Sequence, residues 1–122
     1  MASPPQGNSG SSVLAVDNRT GLTTSDSTRK LLLTVPSAGL IYEVSLSLLP
    51  TTISSGAGVE YLFNWTESGV GQTYKLTATT ANVLQSNTIL IHADANTGLY
   101  IQFSITSGST NSDVACSVKE IA

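Results

Sequence analysis

The chain has 122 residues, a formal net charge of −3, 11% charged and 40% hydrophobic residues. That length fits one domain, which would bury roughly two-thirds of the surface its unfolded chain exposes, and the apolar content excludes an intrinsically disordered chain. The acidic balance excludes the basic patch of a nucleic-acid footprint, and the single cysteine, Cys116, excludes an intramolecular disulfide.

Charged residues usually make up about 25% of a globular domain, whereas here Ser and Thr together fill about a quarter of the chain. A Thr-, Val-, Leu- and Ile-rich chain with few charges reads as folded β-sheet. The opening MASPPQGNSG has neither a basic n-region nor an apolar h-region of a secretory signal. No apolar run approaches the ~20 residues of a membrane span. The expectation is a soluble protein made in the cytoplasm, with no membrane or nucleic-acid partner and no cofactor.

Residues 1–12 are rich in Pro, Gly, Ser and Asn and lack periodicity, which predicts an extended arm ahead of a domain spanning 13–122. Pro4-Pro5 favours the polyproline conformation. Val13–Val16 reads as a short strand and Asp17–Gly21 as a turn-rich loop. Thr23–Thr28 is loop or edge strand, leading into an apolar strand over Lys30–Val35. Pro36–Gly39 is a turn, because Pro sets φ and Gly tolerates positive φ.

From Leu40 to Pro50 the pattern alternates strictly. Tyr42, Val44, Leu46 and Leu48 fall on one side and Glu43, Ser45 and Ser47 on the other, as in a half-buried strand. Val59–Glu67 alternates again with Val59, Tyr61, Phe63 and Trp65 on one face, and Gln72–Thr79 places Tyr74 and Leu76 together. Residues 80–87 are ambiguous between loop and short helix. Thr88–Ala93, Leu99–Thr106 and Asp113–Ile121 complete about eight strands at roughly 8–12-residue spacing, the signature of a sandwich or barrel. Alternation assigns Val44, Leu46, Tyr61, Phe63, Trp65, Ile101 and Phe103 to one core.

In LTVPSAGLIY, the residues Val35, Pro36, Gly39 and Tyr42 resemble the Val-Pro-x-x-Gly-x-Tyr turn of complement- and tumour-necrosis-factor-like trimeric jelly rolls. Ile41 adds one residue before the tyrosine, which turns Tyr42 to the other face unless a bulge absorbs it. The run SAGLIYEVSLSL, a Trp-bearing strand, a Ser/Thr-rich middle and a closing strand resemble small bacteriophage structural domains of capsid decoration proteins and fibres. These resemblances imply a single eight-stranded antiparallel β-sandwich, jelly-roll-like, forming a homotrimer on a virion.

Each candidate for chemistry has a plainer reading beside it. His92 has no cysteine or second histidine with which to complete a metal site. A Ser-His-Asp set drawn from His92, Asp94 and a serine lacks the strained nucleophile turn. Glu43, Glu60 and Glu67 invite a glycosidase carboxylate pair but are expected on strand faces opposite the apolar residues. Asp94, Asn96 and Gly98 resemble part of a calcium loop without its later bidentate Glu. Cys116 alternates with Val114 and Val118 as a small core residue. Asn18 and Asn64 begin glycosylation-type triplets, which carry no weight without a signal peptide. Trp65 and Tyr61 as a sugar platform compete with the same strand facing, which predicts core. Arg29 and Lys30 are too few for a phosphate site.

The function expected is therefore non-enzymatic: a phage capsid decoration (cement) protein on the capsid surface, binding the major capsid protein or another virion protein. The alternatives are the receptor- or carbohydrate-binding head of a phage fibre and a tail or head adaptor subunit. Fibre heads are expected to follow a fibrous stalk, and none lies within these residues. Pro4, Pro5, Gln6 and Asn8 of the arm are the candidate partner-binding residues. Leu32, Ile41 and Leu62, out of phase with the core faces, are the candidate oligomer interface.

Overall fold

The computed structural model describes residues 13–37 and 40–121. Eight strands follow one another: β1 (Val13–Leu22), β2 (Lys30–Thr34), β3 (Leu40–Ile53), β4 (Gly58–Glu67), β5 (Val70–Ala78), β6 (Gln85–Ala93), β7 (Gly98–Ser107) and β8 (Thr110–Glu120). They form two antiparallel sheets of four, ordered β1-β8-β3-β6 and β2-β7-β4-β5. Among consecutive strands only β4 and β5 pair as a hairpin. Every other connection carries the chain from one sheet to the other, which is how a jelly roll closes its two Greek keys. The Lys30–Pro50 segment is thus a crossover: β2 and β3 sit in opposite sheets.

The alternation in β3 becomes burial. Tyr42, Val44, Leu46 and Leu48 are buried, while Glu43, Ser45 and Ser47 are half-exposed on the outer side. Pairing with β6 runs without a shift from Leu40 opposite Ala93 to Leu48 opposite Gln85. Tyr42 therefore enters the core with no bulge. The expected strand ended at Pro50, but β3 continues to Ile53, and its ladder with β8 shifts register between Pro50 and Thr52. A proline cannot donate to a ladder, and a bulge is where a sheet accommodates one.

β1 departs more from expectation. It runs through Asp17–Leu22, where a loop was predicted, pairing with β8 from Val13 opposite Lys119 to Leu22 opposite Ser112. The turn chemistry of Asp-Asn-Arg-Thr-Gly survives only as a register shift around Gly21, whose φ is +67°. Residues 80–84 form a loop, not a helix, with the Asn82 N–H donating to the Pro50 carbonyl at 2.7 Å.

The core joins Tyr42, Val44, Leu46, Leu48, Val114, Cys116 and Val118 of one sheet to Val59, Tyr61, Phe63, Leu99, Ile101 and Phe103 of the other. Full burial of a side chain such as Phe63 is worth about 1.5–3 kcal/mol. Of the predicted core, only Trp65 stays half-buried. It packs at the margin with its ring centroid 5.8 Å from that of Phe63, tilted by 34°. The β7–β8 turn is pinned to the β3–β4 loop by Gly108, at φ +69°, where a Cβ would lie 2.6 Å from Ser54 Oγ. Only glycine meets both demands.

Candidate functional site

A sandwich has two outer faces, and here they differ. On the β1-β8-β3-β6 face, register places Val16, Ser117, Ser45 and Thr88 in one row and Asn18, Ala115, Ser47 and Ser86 in the next. Charge is confined to the ends: the Glu43–Lys119 ion pair (3.3 Å) with neighbouring Glu120 at one end, and Asp113 at the other. Between them the surface is uncharged and made of small side chains, with Ser45 Oγ and Thr88 Oγ1 3.0 Å apart. Small side chains leave a shallow hollow of about 300 Å³ over these rows. Exposed Val16, Leu84 and Leu90 flank them, and Leu84 with Leu49 lines an adjoining groove of about 370 Å³.

The β2-β7-β4-β5 face carries a cleft of about 300 Å³ lined by Arg29, Asn64, Trp65, Thr66, Gln72, Thr73 and Tyr100 with Gly71 and Gly98. The Arg29 guanidinium lies 4.1 Å from the Tyr100 ring centroid, a cation–π contact worth about 0.5–1 kcal/mol when exposed. The ring also lies close against Gly98, where a Cβ would come within 2.6 Å of ring atoms. Asn64 Nδ2 donates to Thr73 Oγ1 at 2.7 Å. The lining holds one cation and no carboxylate.

A third cluster is architectural. Arg19 on β1 donates to Asp17 (3.0 Å) and, by two nitrogens, to Asp26 (2.7 and 3.0 Å). Asp26 also accepts from the Phe103 N–H of β7 at 2.8 Å, and its own N–H donates to the Phe103 carbonyl at 2.8 Å. The segment before β2 is thereby tied to both sheets. Burial pushes the Asp26 carboxyl up, but the Arg19 guanidinium and the Phe103 N–H outweigh it and leave it below the usual carboxylate range. The Asp26 hydrogen bond raises Arg19, against its own desolvation. The cluster thus uses its charge-assisted hydrogen bonds to join the two sheets.

The remaining candidates fall into structural places. Glu43 and Glu60 lie on opposite outer faces, salt-bridged at 3.3 Å to Lys119 and Lys75 respectively, so the carboxylate pair is not assembled. Glu67 shares the Trp65 side of its strand, contrary to the expected facing, and accepts from the indole N–H at 3.1 Å. The Asp94 carboxylate takes the Gly69 and Ser68 N–H groups at 2.7 and 2.9 Å, which hold it below the usual range. That bond stitches the β6–β7 turn to the β4–β5 hairpin. His92 is exposed and Cys116 is buried.

Pro4, Pro5, Gln6 and Asn8 lie outside the described residues. Ile41 is half-buried on one outer face beside His92, and Leu62 is half-buried on the other between Lys75 and Gln102. Leu32 packs against the core at the register shift of β2. The three do not form one patch. Sequence reasoning passed over Tyr100 and the serine rows. The outward facing of Tyr100, Ser45, Ser47 and Ser117 was legible from period-2 alternation, but that of Asn18 and Ser86, in segments read as loop or helix, was not, nor was which strands lie side by side.

No protein-family model matches this chain, and no curated protein is similar to it in sequence.

Proposed function

We propose that the protein is a virion structural component, a phage capsid decoration protein that attaches to the assembled shell as a homotrimer. The observation carrying this reading is the uncharged small-residue face around Ser45, Ser47, Ala115 and Ser117. Such a face lies flat against a protein surface without stranding a charge, since burying an unpaired charge is the costly step in forming an interface. The arm at 1–12 supplies a second attachment, and the resemblance to trimeric jelly rolls supplies the three-fold association. The mechanism is mass action: a ligand that binds only the assembled shell adds about 2.7 kcal/mol to it at one hundred times its Kd.

The test is co-sedimentation with purified shells of three proteins: the whole chain, a chain lacking residues 2–12, and Ser47→Lys. Both variants are expected to melt like the parent and to bind shells more weakly. Full occupancy at unchanged affinity by the truncated chain removes the arm from the reading, and the same result for Ser47→Lys removes the face.

The Arg29–Tyr100 cleft favours a second reading, a saccharide-binding fibre head. One guanidinium with no carboxylate partner among the described residues, set among neutral amides and hydroxyls, suits a carboxylate-bearing sugar. Titration with a uronic-acid oligosaccharide, followed by chemical shifts of the parent and Arg29→Ala, distinguishes it from the first.

A further inference from the structure

Two sheets of four strands have four edges, and an edge strand offers unpaired N–H and C=O groups to any other chain. Three of the four are blunted. β1 carries two register shifts. β2 has five residues and a shift of its own, and the segment before it covers the continuing edge of β7 through Ser25 Oγ, which accepts from the Ile105 N–H at 2.7 Å, and through Asp26. β5 presents Lys75, a residue that guards edges by its charge.

β6 has none of these devices. Its nine residues, Gln85–Ala93, include no Lys, Arg, Asp, Glu, Pro or Gly, and its pairing with β3 is free of shifts. Among the described residues no strand pairs with its other side. It also carries Leu90, 65% exposed and the most exposed large apolar residue among those described.

We infer that β6 is an association edge at which two copies of this chain pair antiparallel about a two-fold axis at Leu90, joining their β1-β8-β3-β6 sheets into one continuous sheet. The occupant follows from self-complementarity. Centring the axis on Leu90 sets Leu90 opposite its own copy on the outer face and Ile89 opposite Ile91 on the inner face. Thr88 then faces His92. Moving the axis one residue to Ile89 would set Thr88 against Leu90 and oppose the Asn87 amide to the large buried Ile91, where the Leu90 axis opposes it to the small Ala93. A strand without formal charge pairs with its copy free of like-charge repulsion. Near the other end of the strand, Asn87 Nδ2 donates to Tyr74 Oη at 2.6 Å, so the pairing centres on 88–92. The contact does not depend on shell binding, and because its axis is two-fold it is isologous, the same edge serving on both copies.

Cysteine cross-linking of the full-length chain tests both the edge and the register. Side chains directly opposite in an antiparallel pair have Cβ atoms about 4.5–5.5 Å apart, close to disulfide reach, while native Cys116 is buried. Under mild oxidation Leu90→Cys is expected to form a covalent dimer about tenfold or more faster than Val70→Cys, a similarly exposed control on the β4–β5 hairpin, because pairing raises the local thiol concentration. A mixture of Thr88→Cys and His92→Cys chains should cross-link faster than either alone. Equal rates for Leu90→Cys and Val70→Cys overturn the edge. No gain on mixing overturns the register.

Discussion

The Tyr61 hydroxyl, rising from β4, donates a 2.5 Å hydrogen bond to the Asp17 carboxylate on β1 in the opposite sheet. It is a polar tie across an apolar interior, and the same carboxylate holds Arg19. Burial first and the Asp17 bond second push the Tyr61 phenol up, so it stays a donor at any ordinary pH. Tyr42, equally buried, differs: its hydroxyl has no partner among the described residues.

These two tyrosines should respond in opposite directions to the same change. Tyr61→Phe gives up a bond to a charged acceptor and is expected to lower stability by about 1.5–3 kcal/mol. Tyr42→Phe removes an unsatisfied buried hydroxyl and is expected to be neutral or to stabilise by about 1 kcal/mol. Urea unfolding midpoints at unchanged slope would read both. A loss on Tyr42→Phe as large as that on Tyr61→Phe would reveal a partner for the Tyr42 hydroxyl.

Acid should unfold the protein partly through Asp26. Its folded pKa is lowered, so its contribution is complete above the unfolded value near ~3.9 and is lost as pH falls through the folded value. Arg19→Met removes the cation that holds the Asp26 carboxyl down and leaves its burial opposed chiefly by the Phe103 N–H. The acid limb of melting temperature against pH should then begin at higher pH than in the parent. Superimposable limbs would mean that the Arg19 cluster does not set the acid response.

Phe63 sits at 0% exposure between the sheets. Phe63→Ala should cost about 3–5 kcal/mol through lost transfer energy and the cavity left behind. A variant melting within a degree or two of the parent would show that this strand faces the other way.

The Cys116 thiol is pushed up to about 12, chiefly by burial and then by the nearby Asp17 charge. A thiol so seldom ionised is a poor nucleophile. At pH 8 a disulfide reagent is expected to label it at the rate of global unfolding and instantly in denaturant. Fast labelling of the native protein would place an opening in the β1-β8-β3-β6 sheet.

The sequence by itself determined the fold class and most of the core. Side-chain facing in a strand is local, repeating every two residues, so Tyr42, Val44, Tyr61, Phe63, Ile101 and Phe103 declare their side with no knowledge of their neighbours. Strand order is not local. β3 lies between β6 and β8, and β1 reaches across 92 positions of sequence for the Gly21 N–H to meet Asp113. That distant pairing, together with the Arg19–Asp26 bridge, extends β1 through a segment whose own residues favour a turn, because a completed ladder and an ion pair outweigh local propensity. The candidate face follows the same division. Ser45 and Ser117 point outward by alternation alone, whereas Asn18 and Ser86 fall in segments that read as loop or helix, and only the jelly-roll order sets their four strands side by side and makes one uncharged surface of them.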